Sequence, residues 1–143
     1  MADAQVNGYL TEMAEIQQQV LAELSDMPRD EFLYQTDHWR WNTVRRVLLR
    51  FGDHVREHTT QLVEAREATG ADQTMTQRIL AQAMQAYGYW LGAMVGLEDE
   101  HLDETYEGEW SPRQVLEHMI VSQRAYLDMI RRAREAKTPV DKD

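Results

Sequence analysis

Three histidines are the residues of this chain with the clearest potential for chemistry. His54 and His58 are four residues apart, and His118 lies much later in the sequence. Histidines at positions i and i+4 share one face of a helix, and neutral imidazole is the commonest protein ligand for zinc, nickel and iron. A lone inward-facing histidine is usually a hydrogen-bonded core residue, so the interpretation depends on all three. We predict a metal site with His54, His58 and His118 as its ligands.

Other polar residues stand beside these histidines in the sequence. Glu57 and Glu117 each precede a histidine directly. Residues i and i+1 of a helix point in different directions, so both glutamates are expected to be solvent-exposed charges or partners that hydrogen-bond a ligand. Gln61 could reach a metal-bound water, although a surface glutamine is the simpler interpretation. His38 and His101 fall between the predicted helices and are expected to be exposed.

Composition restricts the fold and the chemistry. Alanine, glutamate, glutamine, leucine and arginine dominate the 143 residues, which favours an all-α domain. The formal net charge of −10 opposes binding to nucleic acid. Because there is no cysteine, any thiol chemistry must use a soluble thiol. Neither the Gly-x-Ser-x-Gly motif of serine hydrolases nor a phosphate-binding loop occurs.

The sequence also lacks signals for export or membrane insertion. Its first residues do not form the basic and then apolar pattern of a secretory signal, and no apolar run approaches the length needed to span a bilayer. We therefore expect a cytoplasmic protein without a membrane partner.

Apolar residues recur at steps of three and four in four stretches, a spacing typical of amphipathic helices. Asn42, Thr74 and Ser111 are predicted to cap the last three helices, and Gly70 and Gly96 to end the second and third. We predict a single domain over residues 1–143, folded as a four-helix bundle. Its helices are expected at residues 5–25, 42–69, 74–96 and 111–136.

Two of the predicted connections are long, and the halves of the chain resemble each other around them. Residues 27–41 and 97–110 are rich in acidic and aromatic side chains, and a tryptophan stands near the end of each, at Trp41 and Trp110. The segment 24–32 parallels 96–102. This similarity predicts a duplicated helix pair related by pseudo-twofold symmetry.

Two segments carry a resemblance to a known family. The segment 110–120, with tryptophan-serine at a helix start and a leucine-x-histidine element, resembles the second helix of DinB-like proteins. The segment 54–62 is similar to the histidine-x-x-x-histidine element of that family's last helix. In the family the single histidine comes before the pair. Here the order is reversed, which a circular permutation or an exchange of roles between duplicated halves would explain.

The resemblance implies a four-helix bundle, often dimeric, that binds a divalent metal such as Zn, Ni or Fe through its three histidines. It implies a small-molecule substrate and a homodimer. Three protein ligands leave a metal position open for water or for a low-molecular-weight thiol, the arrangement of a catalytic centre. We expect S-transferase or hydrolase chemistry. The alternative is a non-catalytic metal-binding protein or a dimeric helical scaffold.

Overall fold

The computed structural model describes residues 3–141, and long helices dominate them. A short 3-10 helix follows the first helix at Arg29–Leu33 and another follows the third at Asp99–His101. Within the described part of the chain there is no strand beyond an isolated bridge between Gln35 and Thr43. The all-α prediction is confirmed. The long helices are α1 (Ala4–Leu24), α2 (Val44–Ala68), α3 (Met75–Met94) and α4 (Pro112–Ala136).

Capping boxes fix the starts of α3 and α4, at the caps Thr74 and Ser111 that the sequence predicts. The Thr74 hydroxyl accepts from the backbone N–H of Gln77, whose side chain accepts from the backbone of Thr74. Ser111 and Gln114 make the same pair of bonds at α4, with Pro112 as the first helical residue. Each box satisfies two backbone donors that have no partner within the helix.

The predicted cap of α2 is wrong by one residue. Thr43, not Asn42, is the N-cap, and its hydroxyl accepts from the backbone N–H of Arg46. The Asn42 side chain instead accepts from the Arg46 guanidinium at 3.0 Å, and its carbonyl accepts from the Thr36 N–H at 3.1 Å. Asn42 therefore belongs to the bridge that closes the preceding connection.

Glycines in the left-handed region follow α2 and α3. Gly70 has φ 73° and Gly96 has φ 81°, directly after the C-caps Thr69 and Val95. A residue without Cβ adopts this conformation at little cost, and the helix cannot continue through it. Gly70 and Gly96 therefore follow the ends of α2 and α3 as predicted, although α3 itself ends at Met94, two residues before the predicted bound.

The chain divides into two structural units between Gly96 and Leu97. The first contains α1, α2 and α3, and within it the 3-10 helix at residues 29–33 packs beside α2. The second contains the other 3-10 helix and α4. There the backbone N–H of Arg113 donates to the Leu102 carbonyl at 2.9 Å, which ties the connection to the first turn of α4.

The apolar faces of the helices are uncovered. Among residues 3–141 no hydrophobic side chain is buried, and Ser111 is the one buried polar residue. The side chains predicted to face a bundle core are instead solvent-accessible, as at Leu10 (62% exposed) and Leu62 (64%). The bundle itself therefore stays a prediction. No helix in this part of the chain is both long enough and apolar enough to cross a membrane.

Candidate metal centre

His54 and His58 lie side by side on α2. Their ring centroids are 4.5 Å apart, and the rings meet edge to face at 77°. Both side chains are exposed, whereas the sequence pattern predicts a buried face. At about 100° per residue His58 lies on the apolar stripe of the helix, about 40° from Leu62, and His54 lies at its edge, about 80° from Leu62. The structure thus brings two of the three predicted ligands together at the border of an apolar surface.

Glu57 belongs to the same cluster. One ligand atom from each of His54, Glu57 and His58 lies within 4.8 Å of the others. Because adjacent residues of a helix point in different directions, the sequence predicts Glu57 as a solvent-exposed charge or a hydrogen-bonding partner rather than as a ligand. Because Glu57 also stands three residues after His54, it shares a helix face with that residue. The i, i+3 spacing is the signal that could have identified it.

An ion pair with Arg50 occupies the Glu57 carboxylate. Arg50 Nη1 donates to Oε1 at 2.7 Å and Nη2 donates to Oε2 at 3.2 Å. These hydrogen bonds are the main reason that the pKa of Glu57 lies below its usual value, and the proximity of His54 and His58 contributes in the same direction. The same bonds raise the pKa of Arg50. The carboxylate is therefore ionised, the form that can bind a cation.

Gln61 orients the His58 ring. His58 Nδ1 lies 2.6 Å from Gln61 Oε1, three residues farther along the helix. Because an amide oxygen can only accept, the contact requires the proton on Nδ1 and leaves Nε2 of the neutral ring with its lone pair. A ligating histidine commonly has its other nitrogen held in this way. Gln61, expected to be an ordinary surface residue, has a positioning role.

The connection before α2 fixes Arg50. The Arg50 guanidinium stacks over the Trp41 ring with its central carbon 4.6 Å from the ring centroid, and only 22% of its side chain is exposed. His38 Nδ1 holds the turn that presents Trp41 by accepting from the backbone N–H groups of Arg40 and Trp41 at 3.1 and 3.0 Å. His38 is exposed, as predicted, and its hydrogen bonds are structural.

His118 lies in the second unit, on α4. Its ring is exposed and meets Trp110 edge to face, with centroids 5.0 Å apart and an angle of 70°. The cluster around His54 belongs to the other unit. His118 occupies the position in α4 that Arg50 has in α2. Each is the seventh residue after its N-cap, at Ser111 and Thr43, and each contacts a tryptophan just before the helix.

A second cluster of possible ligands lies in the connection before α4. Glu98, Glu100 and His101 bring one ligand atom each within 4.8 Å of the others, and His101 Nε2 is 3.8 Å from Glu100 Oε1. Acidic side chains gather in this way on many protein surfaces without a cation. Glu117 belongs to neither cluster. Its charge instead helps to raise the pKa of Arg113, four residues earlier on α4.

The donor set on α2 fits a divalent transition metal. Two imidazoles and a carboxylate suit Zn, Ni or Fe, whereas calcium and magnesium prefer oxygen ligands alone. The side chains are exposed, and the contact of His58 Nδ1 with Gln61 leaves the other nitrogen of the ring for a metal. Comparison with family models, with curated proteins and with solved structures finds no match to this chain. The chemistry of these residues is therefore the basis for a functional proposal.

Proposed function

We propose that this protein binds a divalent transition metal through His54 and His58, with His118 as the further histidine ligand that the resemblance to DinB-like proteins implies. The observation that carries the proposal is the pair of imidazoles one helical turn apart, with ring centroids 4.5 Å apart and Gln61 on one ring. An i, i+4 histidine pair on a rigid helix needs only side-chain rotation to reach one ion.

The proposed reaction is S-transfer or hydrolysis of a small-molecule substrate. A divalent cation would supply Lewis-acid chemistry, which makes a thiol or a water a better nucleophile near neutral pH. Since the chain has no cysteine, the thiol would be a low-molecular-weight compound from solution. The role of the protein is to hold the ligands, as Gln61 holds the ring of His58.

Metal analysis of purified protein tests this proposal. Wild type should retain Zn, Ni or Fe after gel filtration, and His54→Ala, His58→Ala and His118→Ala should each lose metal. Thr60→Ala is the matched control, because this exposed residue lies on the same helix two residues after His58 and outside the cluster. Circular dichroism verifies that each variant keeps its helices. Wild-type metal content in all three ligand variants would overturn the proposal.

A second candidate is a helical scaffold without catalytic activity, formed by two copies of the chain. The observation in its favour is the uncovered apolar surface. The accessible area is 13,372 Å², whereas a closed globular protein of 16.8 kDa exposes about 7,700 Å². The difference of roughly 5,700 Å² is surface that packing against other helices, of this chain or of a second copy, would cover.

The exposed apolar surface favours a second copy of the chain as its binding partner. Every long helix carries an apolar stripe with steps of three and four residues, so each can pack on the same stripe of another copy. The net charge of −10 makes an anionic lipid surface or a nucleic acid an unfavourable occupant. Gly88 and Gly92 leave room on α3, because a Cβ added at either position would meet nothing within 4 Å.

Sedimentation velocity decides whether a second copy covers these faces. Wild type should sediment with twice the chain mass, and added salt should strengthen association because it screens the like charges. Leu62→Lys, on the apolar stripe, should weaken association. Leu49→Lys is the matched control on the same helix, 54% exposed and about 140° away from Leu62. A fully helical monomer would refute the dimer.

Turnover separates the enzyme from the scaffold. Metal-loaded protein should transfer a small thiol to an electrophile or hydrolyse a small ester if the first proposal holds. Metal binding without turnover across a broad substrate panel would support the scaffold.

A further inference from the structure

We infer that Glu57 is itself a metal ligand and that Arg50 competes with the ion for its carboxylate. The inference rests on the proposed binding of metal by His54 and His58. It adds a third ligand from the same helix and a residue that sets the affinity. Neither glutamate nor arginine belongs to the histidine set that the sequence predicts.

The three side chains occupy neighbouring positions on the surface of α2. Residues 54, 57 and 58 stand at i, i+3 and i+4, so they project within an arc of about 100° of the helix surface. Their ligand atoms lie within 4.8 Å of one another. Two ligands of a tetrahedral zinc are about 3.4 Å apart, given bonds of about 2.1 Å. Rotation of exposed side chains closes that difference without any movement of the backbone.

The carboxylate of Glu57 already has a partner. Arg50 donates one hydrogen bond to each oxygen of Glu57, at 2.7 and 3.2 Å. Each bond uses one of the two lone pairs of an oxygen, and the guanidinium brings its positive charge to the carboxylate that would bind the ion, so the ion pair and the metal oppose each other in part. The exchange is electrostatically reasonable, because a dication replaces a monocation beside the same carboxylate.

Arg50 is held by its other contacts, so it cannot move together with Glu57 toward an ion. The guanidinium stacks on Trp41, 4.6 Å from the ring centroid, and its side chain is only 22% exposed, against 56% for Glu57. Arg50 is therefore the fixed member of the pair and Glu57 the mobile one. When an ion binds, Glu57 moves toward the histidines and Arg50 stays on the tryptophan.

Neighbouring residues supply a matched control for charge. Arg56 lies on the same helix and pairs with Asp53 at 3.1 Å, and its side chain is 78% exposed. Its removal deletes one positive charge close to the histidines and leaves the Arg50–Glu57 pair intact. If Arg50 competes specifically for the Glu57 carboxylate, Arg50→Met must change the metal affinity more than Arg56→Met does.

Titration with Co²⁺ in the presence of a competing chelator tests the inference on the full chain. Glu57→Gln should raise the dissociation constant at least about 10-fold, and Arg50→Met should lower it about 2- to 10-fold. Arg56→Met should change it less than about 2-fold. In the Glu57→Gln background, Arg50→Met should have no effect, because there is no ligand left to release. The visible spectrum of bound Co²⁺ should lose intensity or shift in Glu57→Gln.

The outcomes distinguish this inference from the proposed function. No Co²⁺ binding by wild type would overturn both. Binding by wild type with an unchanged constant and spectrum in Glu57→Gln would overturn the third ligand alone. Weaker binding by Arg50→Met would overturn the competition, since Arg50 would then assist the ion rather than oppose it. Helical content equal to wild type is required of every variant, and the isosteric Gln substitution is chosen to preserve it.

Discussion

Replacement of Gln61 by alanine tests how the protein prepares His58 for a metal. In the structure Gln61 Oε1 lies 2.6 Å from His58 Nδ1, which fixes the proton on Nδ1 and frees Nε2. Without this acceptor the neutral ring distributes between two tautomers, and one of them presents N–H where the lone pair is needed. Partners of this kind change metal affinity by about 10- to 100-fold. Because Gln61 is exposed, we expect the lower limit, a loss of about 10-fold.

Two measurements check this prediction. Long-range ¹H–¹⁵N spectra of metal-free protein, recorded at alkaline pH where imidazole is neutral, should show His58 as the Nδ1–H tautomer in wild type and a mixture in Gln61→Ala. Zinc titration against a chelator should show the loss of affinity. Thr60→Ala, on the same turn of α2, is the control. An Nε2–H tautomer in wild type, or an unchanged zinc affinity in Gln61→Ala, would refute the assigned role.

The remaining predictions concern stability and pH. The guanidinium of Arg113 lowers the pKa of Asp103, so this stabilising contact should be complete above about pH 5 and disappear as pH falls through the lowered pKa. The thermal midpoint of Asp103→Asn, followed by circular dichroism, should therefore depend less on pH than that of wild type between about pH 5 and 2; equal slopes would exclude the contact. Ser111→Ala removes the buried cap of α4 and should cost about 1 kcal/mol in urea unfolding; no loss would mean that another group caps α4. Gly70→Ala, at φ 73°, should destabilise by about 1 kcal/mol, whereas Gly8→Ala, inside α1 with nothing within 4 Å of the added Cβ, should stabilise by about 0.5–1 kcal/mol. Changes of the same sign would contradict the assigned backbone conformations.

The helices could be predicted because their signals are local. The capping residues Thr74 and Ser111 and the terminal glycines Gly70 and Gly96 act within one turn of the helix end, so a short segment contains the whole interaction. Asn42 shows the limit of this reasoning. Asparagine and threonine both cap helices, and the choice of Thr43 depends on the bridge that holds Asn42 in the connection.

The cluster around the histidines could be predicted only in part. The i, i+4 pair is visible in the sequence, but the bond between Arg50 and Glu57 spans two helical turns and depends on Trp41 to place the guanidinium. Such a contact has no short sequence pattern. The position of His118 relative to the pair cannot be predicted from a short sequence pattern either, because it depends on contacts between helices rather than within one.

The sequence pattern predicts buried apolar side chains, whereas these side chains are exposed in the structure of the single chain. An amphipathic stripe indicates that a helix requires an apolar partner, but it does not say which surface provides one. Leu10, Leu62 and Met84 fit the spacing of three and four residues although they are exposed. The pattern therefore predicts the helices correctly and leaves their packing undetermined.

X-ray absorption spectroscopy of protein loaded with one equivalent of zinc tests the central claim most directly. The account predicts a first shell of nitrogen and oxygen at about 2.0–2.1 Å, with the outer-shell scattering of imidazole rings, weakened in His58→Ala and in His54→Ala. A shell of oxygen alone, without imidazole scattering, or a spectrum that neither substitution changes, would contradict a metal centre on α2.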